Sequence, residues 1–484
     1  MTQKSLKQNA FFNFAKALAN FAFPLITFPY VSRILMPDGI GRINFVNSVV
    51  EYFVLIAELG VSSYAAREAA KIRDDKKKLN EFCRDIFCLN LISTAVAFIL
   101  LIVALLAVPK FDSYRPLFVI CSAKILFSST GMNWLFTAFE EFKYITTRSI
   151  IFQILCLAFL FIFVRTPDDW LLYGAMGVFS YIGPNILNLF YSRKFVNLFA
   201  RTRIHFAKHL KPVLIFLGTD CATKLHTTID VVILGFMMSD LAVGYYSAAS
   251  KIYKIVYLVI STTLSTFMPR SSYYLEKGKI DEYHKMTQKC ANLTVFFVLP
   301  AATGLLLLSE PLLVLFCGTQ YLPAVNTMRI LCPIVFINGI GTFMNQVVII
   351  PQRKERIVLV AQIIGSILNI VLNMILIPIW GIFGAAFATL IVEFTIEAIK
   401  FAQCAKSIVN RNVLANFAKS LMATAVMCVV VILIMQRTDT YAGKILFSTM
   451  SGFFVYAALT ALLRHETTCV VLGTVQKLLR KHKP

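Results

Sequence analysis

Residues 91–108 read LISTAVAFILLIVALLAV, eighteen consecutive positions without a charged side chain. An α-helix rises about 1.5 Å per residue, so about 20 helical residues cross the ~30 Å hydrocarbon core of a bilayer. A transmembrane β-strand would instead alternate lipid-facing and inward-facing residues over about ten positions. This stretch, and a similar apolar run at residues 426–435, therefore predict membrane-spanning helices.

The composition extends this prediction to the whole chain of 484 residues, of which 58% are hydrophobic and 15% are charged. Soluble domains carry about 25% charged residues, so this chain has too little polar surface to fold as a globule in water. The predicted fold class is an all-α polytopic membrane protein. Its eleven cysteines are scattered without ligand-like spacing, so we expect small apolar membrane residues and no metal site.

Apolar segments recur along the chain and predict about fourteen spans. The first seven cover residues 9–35, 40–61, 84–108, 114–139, 144–165, 169–192 and 212–238. The last seven cover residues 241–268, 285–309, 323–350, 356–377, 381–401, 416–436 and 441–463. We expect an N-terminal lobe at 1–200, a C-terminal lobe at 201–410, and a last part at 411–484 with two spans and a basic tail.

The distribution of positive charge supports this count and predicts the orientation. Under the fourteen-span layout, 34 of the 47 Lys and Arg residues lie at the face that holds both termini, and seven lie at the opposite face. The seventh span has a polar centre at residues 218–230, but basic loops flank spans seven and eight and require an even number of crossings between them. Since Lys and Arg collect in cytoplasmic loops, both termini are expected in the cytoplasm. The membrane itself is expected to be a bacterial inner membrane. The net charge of +22 therefore calls for no nucleic-acid partner.

Charged residues inside spans are costly in lipid, so they normally face one another or a water-filled cavity. The in-span basic residues are Lys16, Lys124, Lys224, Lys251, Lys254 and Arg329. The acidic residues at similar depths are Glu51, Glu58, Asp220, Asp230, Glu393 and Glu397. Spans one, two, seven and eight hold most of these residues, which indicates a polar site built from those four helices.

Helical spacing assigns provisional roles within this set. Asp220 and Lys224 are four residues apart and could pair within one helix. Lys251 and Lys254 are three apart on one face, an arrangement that favours binding of an anion. A purely structural ion-pairing role stays open for the acidic residues and for these two lysines. Lys124 is expected to extend towards the outer surface, and no role is assigned to Glu58 or Arg329.

Spans one and two resemble spans seven and eight, because each pair is joined by a short turn with an aspartate, Asp38 or Asp240. Each turn is followed by a glycine and small-residue pattern, GRINF at 41–45 and GYYSA at 244–248. The pattern suggests two six-span halves around a central site, as in transporters built from repeats. Pro24 and Pro29 break the hydrogen-bond ladder of the first span, either as a static kink or as a bend that serves alternation.

Several motifs, in order and spread over nearly the whole chain, resemble one family. They are FPYVSRIL at 28–35, PDGIG at 37–41, LGVSSY at 59–64, NWLF at 133–136, EEFKY at 140–144, Asn345-Gln346 with Pro351, and GIFGAA at 381–386. They are similar to those of Wzx-type polysaccharide flippases of the multidrug/oligosaccharidyl-lipid/polysaccharide (MOP) exporter superfamily. The resemblance implies two lobes around a V-shaped central cavity. It also implies that an isoprenyl-diphosphate-linked oligosaccharide is moved from the cytoplasmic to the outer leaflet by an ion-coupled antiport mechanism.

With this resemblance, the basic residues predicted to bind the substrate are Lys16, Lys224, Lys251 and Lys254, and Arg33 is carried over as a cavity residue. Glu51, Asp220 and Asp230 are the candidates for ion coupling, and they rest on their positions because the family's carboxylates do not map here by motif. The coupling ion is H⁺ or Na⁺, and no cofactor or catalytic residue is expected. Membrane lipids are expected partners, and other membrane proteins of polysaccharide assembly are candidate partners.

Three other functions stay open at this stage. A multidrug antiporter of the same fold would favour an acidic cavity for cationic drugs, whereas this chain places several lysines in its spans. A membrane glycan polymerase or ligase would need a larger folded loop outside the membrane, and the predicted outer loops are all short. A lipid-binding scaffold without transport activity would leave the buried charges and the prolines of the first span without a use.

Overall fold

The structure is a computed structural model that describes residues 6–197, 205–408 and 410–470. The predicted loop residues Arg201 and Arg203 and most of the predicted basic tail lie outside these ranges. Within the described residues every regular element is helical, which confirms the predicted fold class.

Among the described residues, eight α-helices end before residue 240 and ten begin there or later. The helices before it are α1 Leu6–Glu58, α2 Val61–Ile72, α3 Lys76–Ala107, α4 Arg115–Thr130, α5 Asn133–Ala138, α6 Phe142–Phe163, α7 Trp170–Ser192 and α8 Ala207–Met237. Those after it are α9 Asp240–Ser265, α10 Met268–Glu276, α11 Ile280–Leu307, α12 Ser309–Cys317, α13 Val325–Leu331, α14 Pro333–Phe343, α15 Glu355–Trp380, α16 Ile382–Ile408, α17 Arg411–Arg437 and α18 Tyr441–Leu462. Short 3₁₀ turns precede α4, α7 and α13, and a π-helix, Met344–Ile349, follows α14.

The helices follow the predicted spans closely. In the described part of the chain, nine helices are long and apolar enough to cross a membrane, or ten if a bent pair formed by 319–331 and 333–349 counts as one span. The first of the nine contains two predicted spans, and the α4–α5 pair, α7 and α8 correspond to three more. Fourteen spans are compatible with this arrangement and stay a prediction. The polar stretch at 218–230 is helical throughout, as expected for a seventh span.

Three helix boundaries differ from the prediction, each for a local reason. The turn expected at 36–39 shrinks to Met36, whose φ of 60° breaks α1 into two helices. α3 begins at Lys76, because the Asp75 side chain accepts hydrogen bonds from two backbone N–H groups in its first turn. The fourth span is interrupted after Thr130, since Met132 takes a left-handed conformation with φ 43°. Hydropathy marks the apolar part of a helix and gives no information on caps or on such breaks.

The chain forms two compact units, Met1–Gly244 and Tyr245–Pro484. In the first unit, buried Asp85 of α3 accepts a hydrogen bond from the His205 N–H (2.8 Å) and pairs with Lys208 (2.9 Å), which fixes the start of α8. In the second unit, the Tyr283 hydroxyl donates to the Val347 carbonyl (3.2 Å) and joins α11 to the π-helix. The predicted lobe boundary at residue 200 refers to the two six-span halves of the sequence, whereas the two units are defined by packing. That boundary therefore stays a prediction.

Within the first unit, the two turns that resemble each other in sequence lie against one another. A methyl group added at Gly41 would overlap the Asp240 carbonyl, and one added at Gly244 would overlap the Pro37 carbonyl. Arg42 pairs with Asp38 (2.8 Å) and with Asp240 (3.3 Å). The two glycines therefore permit backbone contact between α1 and the start of α9.

Candidate functional site

The first unit contains a cluster of charged residues on α1, α4 and α8. Lys224 forms an ion pair with Glu51, and both side chains are about one-third exposed, at 32% and 39%. The spacing allows Lys224 to pair with Asp220 in its own helix, but in the structure its ammonium group reaches across to α1. The structure thus joins a predicted substrate-binding residue to a predicted ion-coupling residue.

Hydroxyl groups extend this cluster along α1. The Thr228 hydroxyl of α8 donates to the Tyr52 hydroxyl (3.0 Å), next to Glu51 in the chain. Two turns further on, the Tyr181 hydroxyl of α7 donates to the Glu58 carboxylate (3.3 Å). Glu58, for which the sequence indicated no role, therefore lies within the same polar region, in electrostatic range of Asp220 and Lys224.

Lys124 belongs to this cluster as well. Its ammonium group donates to the Asn47 side-chain oxygen of α1 (2.7 Å), and the side chain is partly buried. Lys124 also lies within electrostatic range of Glu51 and Lys224. The expectation that it extends alone towards the outer surface is wrong, because an amide acceptor one helix away binds it.

The other predicted residues of the first unit differ in their exposure. Asp230 is buried, at 4% exposure, and Asp220 is partly buried. Lys16 is partly buried on α1 and lies in electrostatic range of Arg148 of α6. Arg33 is exposed on the first half of α1. The structure thus brings Glu51 and Lys224 into contact and places Lys16 and Arg33 elsewhere along α1.

In the second unit, Lys251 is partly buried on α9 and Lys254 is exposed. Lys254 lies one helical turn before Tyr257, whose hydroxyl shares a hydrogen bond with Thr342 of α14 (2.8 Å). Tyr257 and Thr342 line a polar cavity of about 300 Å³. The other lining residues are Ser261, Thr262, Ser265, Asn345 and Gln346. The Asn345-Gln346 motif stands on the π-helix, a form of backbone that is rare and often found at functional sites.

Sequence reasoning missed three buried charged residues. Arg148 is 6% exposed and donates to the Pro184 carbonyl (2.7 Å) and to the Asn133 side-chain oxygen (2.5 Å). Asp85, at 2% exposure, is the second. Lys400 is the third, and it pairs with Glu397 one turn away in α16 (2.5 Å). All three lie near the predicted ends of spans, where hydropathy assigns charged residues to loops or to the membrane surface.

Fold and charge together define a polytopic helical membrane protein with ionisable residues inside its helices. The family described as "Polysaccharide biosynthesis protein" matches residues 6–275, more than half of the chain, so the chain belongs to this family. The family described as MatE matches residues 217–375. These matches agree with the resemblance to MOP-type flippases found in the motifs.

Similar proteins support the same assignment. A protein of Shigella dysenteriae described as "Putative O-antigen transporter" is 24% identical over 407 residues, covering 82% of this chain and 100% of that protein. The structure described as "Lipid II flippase MurJ, inward closed conformation" matches with a TM-score of 0.74 and 16% identity, over 95% of this chain and 99% of that one. A MATE family transporter of the MOP superfamily in an inward-facing conformation matches with a TM-score of 0.61 and 13% identity, over 81% and 94%. The fold is therefore that of the MOP superfamily.

Proposed function

We propose that this chain is a flippase that moves an isoprenyl-diphosphate-linked oligosaccharide from the cytoplasmic to the outer leaflet, for assembly of a surface polysaccharide. The family supports a role in polysaccharide biosynthesis, and the full-length relative is described as an O-antigen transporter. The observation that carries the proposal is the contact between Lys224 and Glu51 inside the membrane-spanning helices, with Lys124 nearby. A diphosphate is anionic, and cations held at this depth are the groups that attract it.

The chemistry of lysine suits such a substrate. A lysine is a compact positive charge on a flexible stem, able to follow a diphosphate without fixed geometry. Attraction between two charges 4 Å apart is worth about 1 kcal/mol in water and several times more where water is partly excluded. We assign substrate contacts to Lys16, Arg33 and Lys224 in the first unit. Lys251 and Lys254 have the same role in the second unit.

We propose that the pair also provides the coupling. When Glu51 binds a proton or a sodium ion, its charge is neutralised, and Lys224 loses its partner and can bind a phosphate oxygen. Release of the ion restores the pair and displaces the substrate. Asp220 and Asp230 on the same helix as Lys224 are the additional coupling candidates. In this scheme the Glu51 carboxylate and the substrate phosphate compete for Lys224, so the ion and the substrate are bound in the same state of the cycle.

A second candidate function is a multidrug-type antiporter. It is favoured by the MatE match at residues 217–375 and by the fold of the MATE structure. Such a protein would confer resistance to cationic dyes when expressed, whereas a flippase would not. Basic residues inside the helices favour an anionic substrate instead.

We place the chain in the inner membrane of a bacterium with both termini in the cytoplasm. The two transport lobes are assigned to residues 1–200 and 201–410. Single cysteines in a cysteine-free background test the topology. Labels at Lys77, Lys277 and Lys354 should react from the cytoplasm, and those at Asp112 and Asp439 from outside. Labelling of Lys77 and Lys277 from opposite faces would overturn the seventh and eighth spans.

The function itself is tested in cells that lack the chain. The lipid-linked oligosaccharide should then accumulate in the cytoplasmic leaflet, where an added periplasmic glycosidase does not reach it, and expression of the chain should restore access. Accumulation in the outer leaflet would instead indicate a polymerase or ligase. Membrane proteins that synthesise or polymerise the same unit are the proposed partners.

A further inference from the structure

The second unit contains a cavity of about 420 Å³ between α10, α11 and residues 466–470. Three basic residues line it, Arg270 on α10 and Lys285 and Lys289 on α11. All three are exposed, and none forms an ion pair among the described residues. Two acidic residues, Glu282 and Glu466, also line it, so the cavity carries three positive and two negative charges, none of which the substrate site uses.

The rest of the cavity is largely apolar. Phe267, Met286 and Leu293 contribute to its wall. The predicted ninth span begins at residue 285, so Lys285 and Lys289 occupy its first two turns, at the depth of the lipid headgroups. A cavity with basic residues at headgroup depth and an apolar wall towards the hydrocarbon is suited to a phospholipid.

One buried polar atom indicates which headgroup fits. Asn292, at 1% exposure, lines the cavity, and its amide nitrogen donates to the Glu466 carboxylate (2.6 Å). Its side-chain oxygen has no hydrogen-bond partner within the described structure. Buried acceptors are normally satisfied, so a donor on the molecule that fills the cavity would complete the hydrogen bonding of this side chain.

The Arg270 guanidinium is held in position by Tyr274 of the same helix. Its Nε donates to the Tyr274 hydroxyl (3.0 Å), and the group stacks 5.4 Å from the ring of that tyrosine. The terminal nitrogens of the guanidinium stay available for a phosphate oxygen, which arginine binds with two parallel hydrogen bonds. Glu466 is engaged by Asn292 and by Asn412 (2.9 Å), which reduces its repulsion of an anion.

We propose that this cavity binds an anionic glycerophospholipid whose headgroup carries a hydroxyl donor, of the phosphatidylglycerol type. Arg270, Lys285 and Lys289 bind the phosphodiester, a headgroup hydroxyl donates to the Asn292 oxygen, and the first acyl carbons contact the apolar wall. A zwitterionic ethanolamine lipid also has donors, but it has no net negative charge, so a cavity with a net charge of +1 attracts it less than an anionic lipid.

The test uses the full chain in detergent and native mass spectrometry with added phosphatidylglycerol or phosphatidylcholine. We expect phosphatidylglycerol to bind more tightly, and Lys285→Gln/Lys289→Gln to weaken it about tenfold or more. The matched control is Lys277→Gln/Lys279→Gln, which removes two exposed charges just before α11, outside the cavity, and should leave binding unchanged. Equal binding of the two lipids, or equal losses in the two double variants, would overturn the site.

Two further arms separate the parts of the proposal. Millimolar inorganic phosphate should not displace the lipid, and displacement would assign the cavity to soluble phosphate and overturn the lipid. Phosphatidylmethanol has the same charge without headgroup hydroxyls and should bind several-fold more weakly than phosphatidylglycerol. Asn292→Ala should abolish that preference, with its thermal midpoint measured to verify folding. Equal affinity of the wild type for both lipids would overturn the role of Asn292.

Discussion

Lys224 of α8 is ion-paired with Glu51 of α1, although the four-residue spacing also allows a pair with Asp220 in its own helix. We expect Glu51→Gln and Lys224→Gln each to lower flipping at least tenfold. The first change removes the carboxylate that binds the ion, and the second removes the ammonium group that binds the substrate. Stability should change little, since a partly exposed pair contributes about 1 kcal/mol or less. Flipping in proteoliposomes and the thermal midpoint in detergent measure the two effects separately.

The exchanged variant Glu51→Lys/Lys224→Glu distinguishes a functional pair from a structural one. It keeps an ion pair between the helices but moves the cation to α1, so flipping should stay low. The control is the Glu68–Lys71 pair of α2 (2.9 Å), where Glu68→Gln should leave flipping unchanged. Full activity of the exchanged variant would show that the contact only holds the helices together.

The backbone contact between the two similar turns gives a second prediction. Gly41→Ala and Gly244→Ala each place a methyl group on a carbonyl of the other turn, so we expect a loss of about 1–3 kcal/mol in stability. Gly177→Ala in α7 is the matched control, because no atom lies within 4 Å of the added methyl group. Thermal midpoints of the three variants measure the difference, and a Gly41→Ala protein as stable as Gly177→Ala would contradict the close contact.

The sequence was sufficient for most of the fold because lipid imposes one rule on every span. A helix that crosses a bilayer must be long and apolar, so hydropathy locates α15 at Glu355–Trp380 and α18 at Tyr441–Leu462 to within a few residues. The break at Met36 was predicted as a turn from its Met-Pro-Asp-Gly sequence. The early start of α3 was not predicted, because its first two turns lie outside the apolar segment.

The site was less accessible to sequence reasoning, because its contacts join helices far apart in the chain. Spacing within one helix suggested Asp220 for Lys224, and only the packing of α1 on α8 brings Glu51 closer. Lys124 looked isolated for the same reason, since its acceptor Asn47 is an uncharged residue on another helix. Neutral partners leave no charge pattern to detect.

Arg148 provides a third prediction, on stability. The two acceptors of its guanidinium, the Pro184 carbonyl and the Asn133 side chain, belong to two other helices, so the residue fastens α5 and α7 to α6. Arg148→Ala should cost about 2–4 kcal/mol, because charged hydrogen bonds are lost and buried acceptors are left unsatisfied. Lys143→Ala, an exposed change on the same helix, should be neutral. Equal midpoints for the two variants would show that the network adds no stability.

His465 gives a prediction on pH, and it lies beyond the end of α18. Burial, with the charge of Lys419, lowers the pKa of His465 from 6.5 to about 4. Between these values the unfolded chain binds a proton that the folded chain does not, so stability falls as the pH drops through this window. His465→Gln should therefore lose less thermal stability between pH 6.5 and pH 4 than the wild type does. His284→Gln, at an exposed position, is the control and should follow the wild-type profile. If His465→Gln also followed the wild-type profile, His465 would bind protons equally well in the folded and unfolded chain, and the prediction would fail.

The last prediction concerns Lys251 and Lys254, which α9 presents three residues apart on the helix that leads to the polar cavity at Tyr257. If they hold the diphosphate, their charge matters more than their shape, because attraction to an anion needs no fixed geometry. Arginine at either position should keep substantial flipping, whereas Lys→Ala should lower it and Lys251→Glu/Lys254→Glu should abolish it with normal protein levels. Lys277→Glu, an exposed reversal in the loop after α10, is the control and should flip normally. Flipping by the double glutamate variant would assign these lysines to structural ion pairs and leave substrate binding to the cluster around Lys224.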